Sequence, residues 1–242
     1  MIMRNPFNLK NISYVMKEQK QISDDRLQMT DNFGMKNLTR RIERLKKTPL
    51  KKTIDNRMKE FAYFQDAPSK EVFSELCFCF MTANFQAQKS WDIQQELGSR
   101  LWELGEIELQ EELKRLGHRF WPQRGTAIYN ARWLKDSIKS ELGKFENEIL
   151  MRDWIVKNLK GLGMKEASHF LRNIGYNDVA IIDKHIINIL VNEGLIERPK
   201  TLTPKKYIEI ENTLRELGEK TNLNLGELDL YLWSEQTGKV LK

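Results

Sequence analysis

Cysteine is nearly absent from this chain of 242 residues: there are two, Cys77 and Cys79. Both fall in the apolar run "ELCFCFMTANF", alternating with Phe78 and Phe80, where they read as small core residues. Two thiols supply no disulfide framework and cannot hold a four-cysteine iron–sulfur cluster. Apolar runs are short as well. None approaches the roughly eighteen residues a membrane span needs, and no signal-peptide pattern opens the chain, so the expectation is a soluble, intracellular, cytoplasmic protein. Strand alternation is missing except over 179–182, a stretch too short to build a sheet. Proline and glycine breaks are sparse beyond Lys36, and no internal repeat stands out.

What is present is charge and helical period. Forty Lys/Arg against 34 Asp/Glu leave a net charge of +6, a balance that favours a polyanionic partner. The excess is uneven: residues 1–60 hold fifteen Lys/Arg and seven Asp/Glu, so basicity further along must be local to matter. The run "RRIERLKKTPLKK" (40–52) is either a phosphate grip or a solvated face. Residues 1–34 are polar without a long period and read as a loosely held extension. Beyond them the apolar spacing predicts helices over 36–48, 54–65, 69–83, 86–98, 106–115, 122–141, 147–159, 163–174, 184–194, 204–220 and 225–237, an all-α fold. Thr203 followed by Pro204 marks one helix start, and Ser69 with Glu71 in the first turn marks another.

The stretch "LKGLGMKEASHFLRNIGYNDVAIIDKH" (159–185) concentrates the chemistry. Gly161 and Gly163 lie two apart between helical segments. Apolar residues Trp154, Ile155, Leu159 and Leu162 stand upstream, and Ala167, Phe170, Leu171 and Ile174 stand downstream at helical spacing. This predicts a compact αα-hairpin whose glycines permit positive φ and expose amides at a helix N-terminus, an anion site suited to a nucleic-acid phosphate. An ordinary helical corner has the same pattern. Lys165 falls in the first turn of the second helix, where the dipole and burial both disfavour an ammonium, which would leave the amine a nucleophile able to form a Schiff base. Asp183 is a plausible N-cap for "KHIINILVN", with backbone amides favouring its anion. One amine and one fixed carboxylate suit a reaction that builds positive charge at the carbon under attack, such as a sugar C1′ losing its base.

With those residues in view, the segment resembles the helix–hairpin–helix DNA glycosylases, whose signature is a glycine-rich hairpin, a lysine just after it and an aspartate about twenty residues on. The resemblance implies Lys165 as catalytic nucleophile and Asp183 as catalytic carboxylate, with base excision followed by β-elimination. Lys160 stands where the family commonly has proline. The blocks "HRFWPQRGTAIYNAR" (118–132) and "LGELDLYLWSEQTGKVLK" (225–242) look like the archaeal-type 8-oxoguanine DNA glycosylase/AP lyase class, over about residues 36–242. That class implies a flipped base held between aromatic rings, Phe120 and Trp233, and read by the terminal carboxylate of Lys242. Asp229, one helical turn before Trp233, is a further candidate for the base edge. Asn84 and Phe85 in "TANFQAQKSW" fall where relatives fill the gap left by the flipped base or contact its orphaned partner. Arg124 and Arg132, eight apart and so on one face of the 122–141 helix, join Gly161 and Gly163 as candidate DNA contacts.

The implied architecture is two helical lobes with the site between them: residues 73–187 as one lobe, and 36–72 joined to 188–242 as the other. The implied partner is double-stranded DNA containing 8-oxoguanine, bound by a monomer with no membrane association and no metal or other cofactor. Two rivals stay open on sequence: a helix–hairpin–helix module that only holds DNA, and a glycosylase with broader oxidised-base specificity.

Overall fold

The computed structural model describes residues 33–240, and the calls on Lys242 and on nearly all of the 1–34 extension lie outside them. Thirteen α-helices run through those residues with no strand among them. They are α1 (33–45), α2 (Leu50–Tyr63), α3 (Ser69–Thr82), α4 (Ala87–Leu97), α5 (Arg100–Glu103), α6 (Glu106–Arg115), α7 (Trp121–Ala131), α8 (Ile138–Leu142), α9 (Glu148–Asn158), α10 (Met164–Asn173), α11 (Lys184–Asn192), α12 (Pro204–Thr221) and α13 (Leu225–Thr237). No helix among the described residues is long and apolar enough to cross a membrane.

Thr203 caps α12 as its sequence predicts, accepting from the Lys206 amide, with Pro204 at the first helical position. Ser69 does not cap α3. Pro68 occupies the cap position, its carbonyl accepts from the Glu71 and Val72 amides, and Ser69 is already inside the helix. The predicted 122–141 helix is also broken: α7 stops at Ala131, a 3₁₀ turn covers Arg132–Leu134, and α8 follows. Its buried residues explain the break. Ile128, Ala131 and Leu134 recur every third residue, and a turn with three residues per revolution keeps them on one side.

The apolar side chains gather in two main clusters. One is built from residues between Val72 and Val179 and is centred on α3, where Phe73, Leu76, Phe78 and Phe80 are fully buried. The other joins Met35, Leu38 and Ile42 of α1 to residues from Ala180 through Leu232. A small third cluster, Ile54, Phe61, Leu230 and Tyr231, fastens α2 to α13. Between the two main clusters lies a buried ion pair. The Arg152 guanidinium from α9 donates to both oxygens of Glu211 from α12, whose Oε2 also accepts from the Ala180 amide at 2.8 Å. The cleft that matters for function opens between these two helical lobes.

Candidate active site

Between α9 and α10 the chain turns in five residues. The Leu159 amide still donates to Ile155 at 2.8 Å, and Gly161 then takes φ +108°, a left-handed conformation costly for any residue with a Cβ. A Cβ there would also stand 3.3 Å from Cβ of Ala127. Gly163 behaves differently: its φ is −95°, and it serves as the N-cap of α10. Its amide is not left open for an anion, because it donates to Oε2 of Glu166 at 3.3 Å.

Lys165 is the second residue of α10. Its surroundings are less buried than expected of it: the side chain is 30% exposed, and its Nζ forms an ion pair with Oε1 of Glu166 at 3.0 Å. The reason is local. The helix N-terminus draws Glu166 back as a cap, and the carboxylate's second oxygen then faces the neighbouring amine.

Asp183 reaches the same cleft from the other lobe. The extended segment before it is pinned by the Tyr207 hydroxyl, which donates to the Ala180 carbonyl at 2.7 Å and accepts from the Ile182 amide at 3.2 Å. Asp183 then caps α11: Oδ1 accepts from the amides of His185 at 2.8 Å and Ile186 at 2.9 Å. Its other oxygen makes no hydrogen bond among the described residues.

Lys165 and Asp183 line one cavity of about 1190 Å³. Its walls also carry Phe120, Trp233, Asp229, Asn84 and Phe85, so seven of the sequence-predicted residues meet there. Phe120 begins α7, and its amide donates to Nδ1 of His118 at 3.2 Å. His118 in turn donates from Nε2 to the Met81 carbonyl at 2.9 Å, so both ring nitrogens of a neutral imidazole are used, and burial pushes its pKa down. Phe85 lies against that imidazole with 4.2 Å between ring centres, and Asn84 before it sits at φ +59°, a conformation asparagine tolerates. His118 is thus a strut under both aromatic residues. The sequence places it in a block of interest without revealing that use.

Asp229 and Trp233 come from adjacent turns of α13. Behind Asp229 lies Arg172, with Nη1 3.4 Å from Oδ2. Burial pushes the Asp229 carboxyl up to about 6; Arg172 opposes that rise and the Asp183 charge adds to it. Arg172 and Glu166 both line the cavity, and neither was singled out by the spacing argument.

The remaining predicted contacts lie elsewhere. Arg124 donates to the Ala83 carbonyl at 2.9 Å and reaches that of Gly161 at 3.5 Å, tying the end of α3 to the hairpin. With Gly161 and Lys160 it borders a separate cavity of about 470 Å³. Arg132 is not on the helix of Arg124. It opens the 3₁₀ turn, donates to the Leu101 carbonyl at 3.0 Å and lies over the Tyr129 ring at 4.8 Å.

Comparison with known proteins identifies the family. The sequence pattern of a family described as 8-oxoguanine DNA glycosylase, Ogg-HhH, matches residues 54–223. A protein of Methanocaldococcus jannaschii named 8-oxoguanine DNA glycosylase/AP lyase is 52% identical over 206 residues, covering 85% of this chain and 99% of that one. One of the same name from Korarchaeum cryptofilum is 45% identical over 211 residues, covering 87% and 100%. Among solved structures, the M. jannaschii 8-oxoguanine glycosylase/lyase in complex with 15mer DNA containing 8-oxoguanine superposes with a TM-score of 0.82 at 51% identity, covering 85% of this chain and 99% of that one. The 8-oxoguanine DNA glycosylase of Thermotoga maritima gives 0.80 at 37% identity, covering 86% and 100%.

Proposed function

This chain belongs to the 8-oxoguanine DNA glycosylase family, and from that premise we propose how its cavity performs excision and strand cleavage. It is a DNA glycosylase with abasic-site lyase activity, acting on 8-oxoguanine in DNA. A base inside a duplex cannot meet Lys165, so the lesion must rotate out into the cavity, where the rings of Phe120 and Trp233 replace its lost stacking at about 1–3 kcal/mol per base. Asn84 and Phe85, which also line the cavity, are the residues suited to fill the vacated duplex position. Asp229 lies at the base edge beside Trp233.

Nζ of Lys165 attacks C1′ as the bond from C1′ to the base breaks. Asp183, its charge anchored by two backbone amides, stabilises the positive charge that develops on the sugar. The carbinolamine-type adduct opens to a Schiff base, loss of a C2′ proton expels the 3′ phosphate, and hydrolysis returns the amine. Glu166 must release Nζ before attack. The observation that carries this reading is that a lysine from α10 and an aspartate from the start of α11 line one cavity with two aromatic side chains suited to hold a base. The reading takes the protein as a monomer that works on double-stranded DNA inside the cell.

Borohydride trapping tests it. Wild-type protein on a duplex containing 8-oxoguanine should give a covalent protein–DNA adduct, and Lys165→Gln none. Asp183→Asn should slow excision by about 10²–10⁴-fold, the span typical for loss of one charged transition-state partner. An adduct from Lys165→Gln equal to that of wild type would remove the mechanism.

A further inference from the structure

Asp229 is a carboxyl placed on the largely buried helix α13. Its side chain is 11% exposed, it forms part of the cavity wall, and Arg172 behind it is 3% exposed. Arg172 is itself poorly satisfied: it lies over the Phe61 ring at 4.6 Å, and neither Nε nor Nη1 has a hydrogen-bond partner among the described residues. A buried guanidinium is costly to retain unless it serves the one carboxylate it touches. One turn further along α13, Trp233 faces the same cavity, so a base stacked on that ring has Asp229 at its side.

Of the three cavity carboxyls, Glu166 caps α10, and the other two, Asp183 and Asp229, are held in opposite ways. Asp183 accepts two backbone amides at the start of a helix and is committed as an acceptor. Asp229 has no amide donors, is desolvated, and feels the negative charge of Asp183 at the start of neighbouring α11. Paired carboxyls in environments that diverge in this way divide into a charged partner and a proton donor. Accepting the cavity as a glycosylase site, we propose that Asp229 is the acid that protonates the departing base and that Arg172 is the residue that positions it.

The step balances. As the C1′–N9 bond breaks, its electron pair leaves with the base, which takes the proton from Asp229, while Nζ of Lys165 bonds to C1′. The new C1′–nitrogen bond leaves that nitrogen positively charged, and the proton it then sheds restores Asp229. No co-reactant is required. Elimination at an abasic site, where no base departs, makes no use of this acid.

The charged groups that bear on Asp229 are Arg172 from α10 and Asp183 from α11, and Arg172 is acted on in turn by Cys79 and Glu75 of α3 and by Arg57 of α2. Lys165, Glu166, His169, Lys184, His185 and Arg119 share the cavity. A carboxyl that titrates at about 6 donates its proton only below that range, so this group makes excision fall as pH rises.

The test compares Asp229→Asn with wild type on two duplexes, one with 8-oxoguanine and one with a preformed abasic site. Rates are normalised to the protein that borohydride traps on abasic DNA, so that misfolded material drops out. Single-turnover excision should fall by about 10²-fold or more, elimination at the abasic site should hold, and the decline of excision with rising pH should flatten. The loss should shrink for an analogue whose base leaves as a more stable anion. Arg172→Met should slow excision while moving the declining limb to higher pH, because it removes the positive partner, and Arg172→Lys should restore part of the rate. Equal loss of both activities, an unaltered pH profile or undiminished excision would overturn the proposal. No excision by wild type itself would instead overturn the glycosylase reading beneath it.

Discussion

At Lys165 the amine starts its work in contact with a carboxylate, and that contact has a measurable side. Glu166 holds Nζ at 3.0 Å and receives the Gly163 amide, so it competes with any phosphate that approaches the hairpin. Glu166→Gln should therefore raise affinity for undamaged duplex several-fold at low salt, an advantage that fades as salt screens it. Fluorescence anisotropy at two ionic strengths reads this directly; weaker binding by the variant at both would contradict it. The sequence exposes some residues of the site and hides others for a physical reason. Lys165 and Asp183 are legible because each follows a helix-start signal at a telling distance. Phe120 and Trp233 are legible only through a family resemblance. Glu166 and Arg172 look like ordinary helix charges, since nothing in linear order says that one folds back onto its neighbour and that the other is sealed under a carboxyl.

Helices supply the next scale. Apolar spacing locates ten of its eleven predicted segments well because most α-helices here bury one face, yet it misses α5, a single turn too short to show a period. It also runs α7 into α8, because positions three apart fit a continuous helix nearly as well as a 3₁₀ turn. The hairpin is the element on which the site depends most. Gly161→Ala meets both a φ of +108° and a neighbour 3.3 Å from the added carbon. It should cost about 1–3 kcal/mol in urea denaturation and loosen the placement of α10, lowering trapping on lesion DNA. Gly163→Ala has neither problem of backbone handedness nor a backbone clash, its nearest neighbour being the Glu166 carboxylate. A milder loss is expected there, and equal losses at the two positions would show that handedness is not the reason for Gly161.

Across the whole molecule, the two apolar clusters meet at Arg152 and Glu211, 0% and 2% exposed. Glu211 receives Arg152 and the Ala180 amide at once, so it fixes the segment that leads to Asp183 as well as the junction of the lobes. Glu211→Gln leaves a buried guanidinium without its counter-charge and should destabilise the fold by about 3–5 kcal/mol, measured by thermal or urea unfolding. A variant as stable as wild type would show that the pair does not pin the junction.

Damage of this kind arises where peroxide is abundant, and a repair enzyme has to outlast the chemistry it cleans up after. Cys77 and Cys79 are 0% exposed, and burial drives the Cys77 thiol far upward, away from the thiolate that oxidants attack. The folded enzyme should take up no iodoacetamide at either sulfur and should carry no sulfenic acid after peroxide treatment, as intact-mass spectrometry would show. Placing both sulfhydryls inside α3 keeps thiol oxidation away from the cavity that does the chemistry.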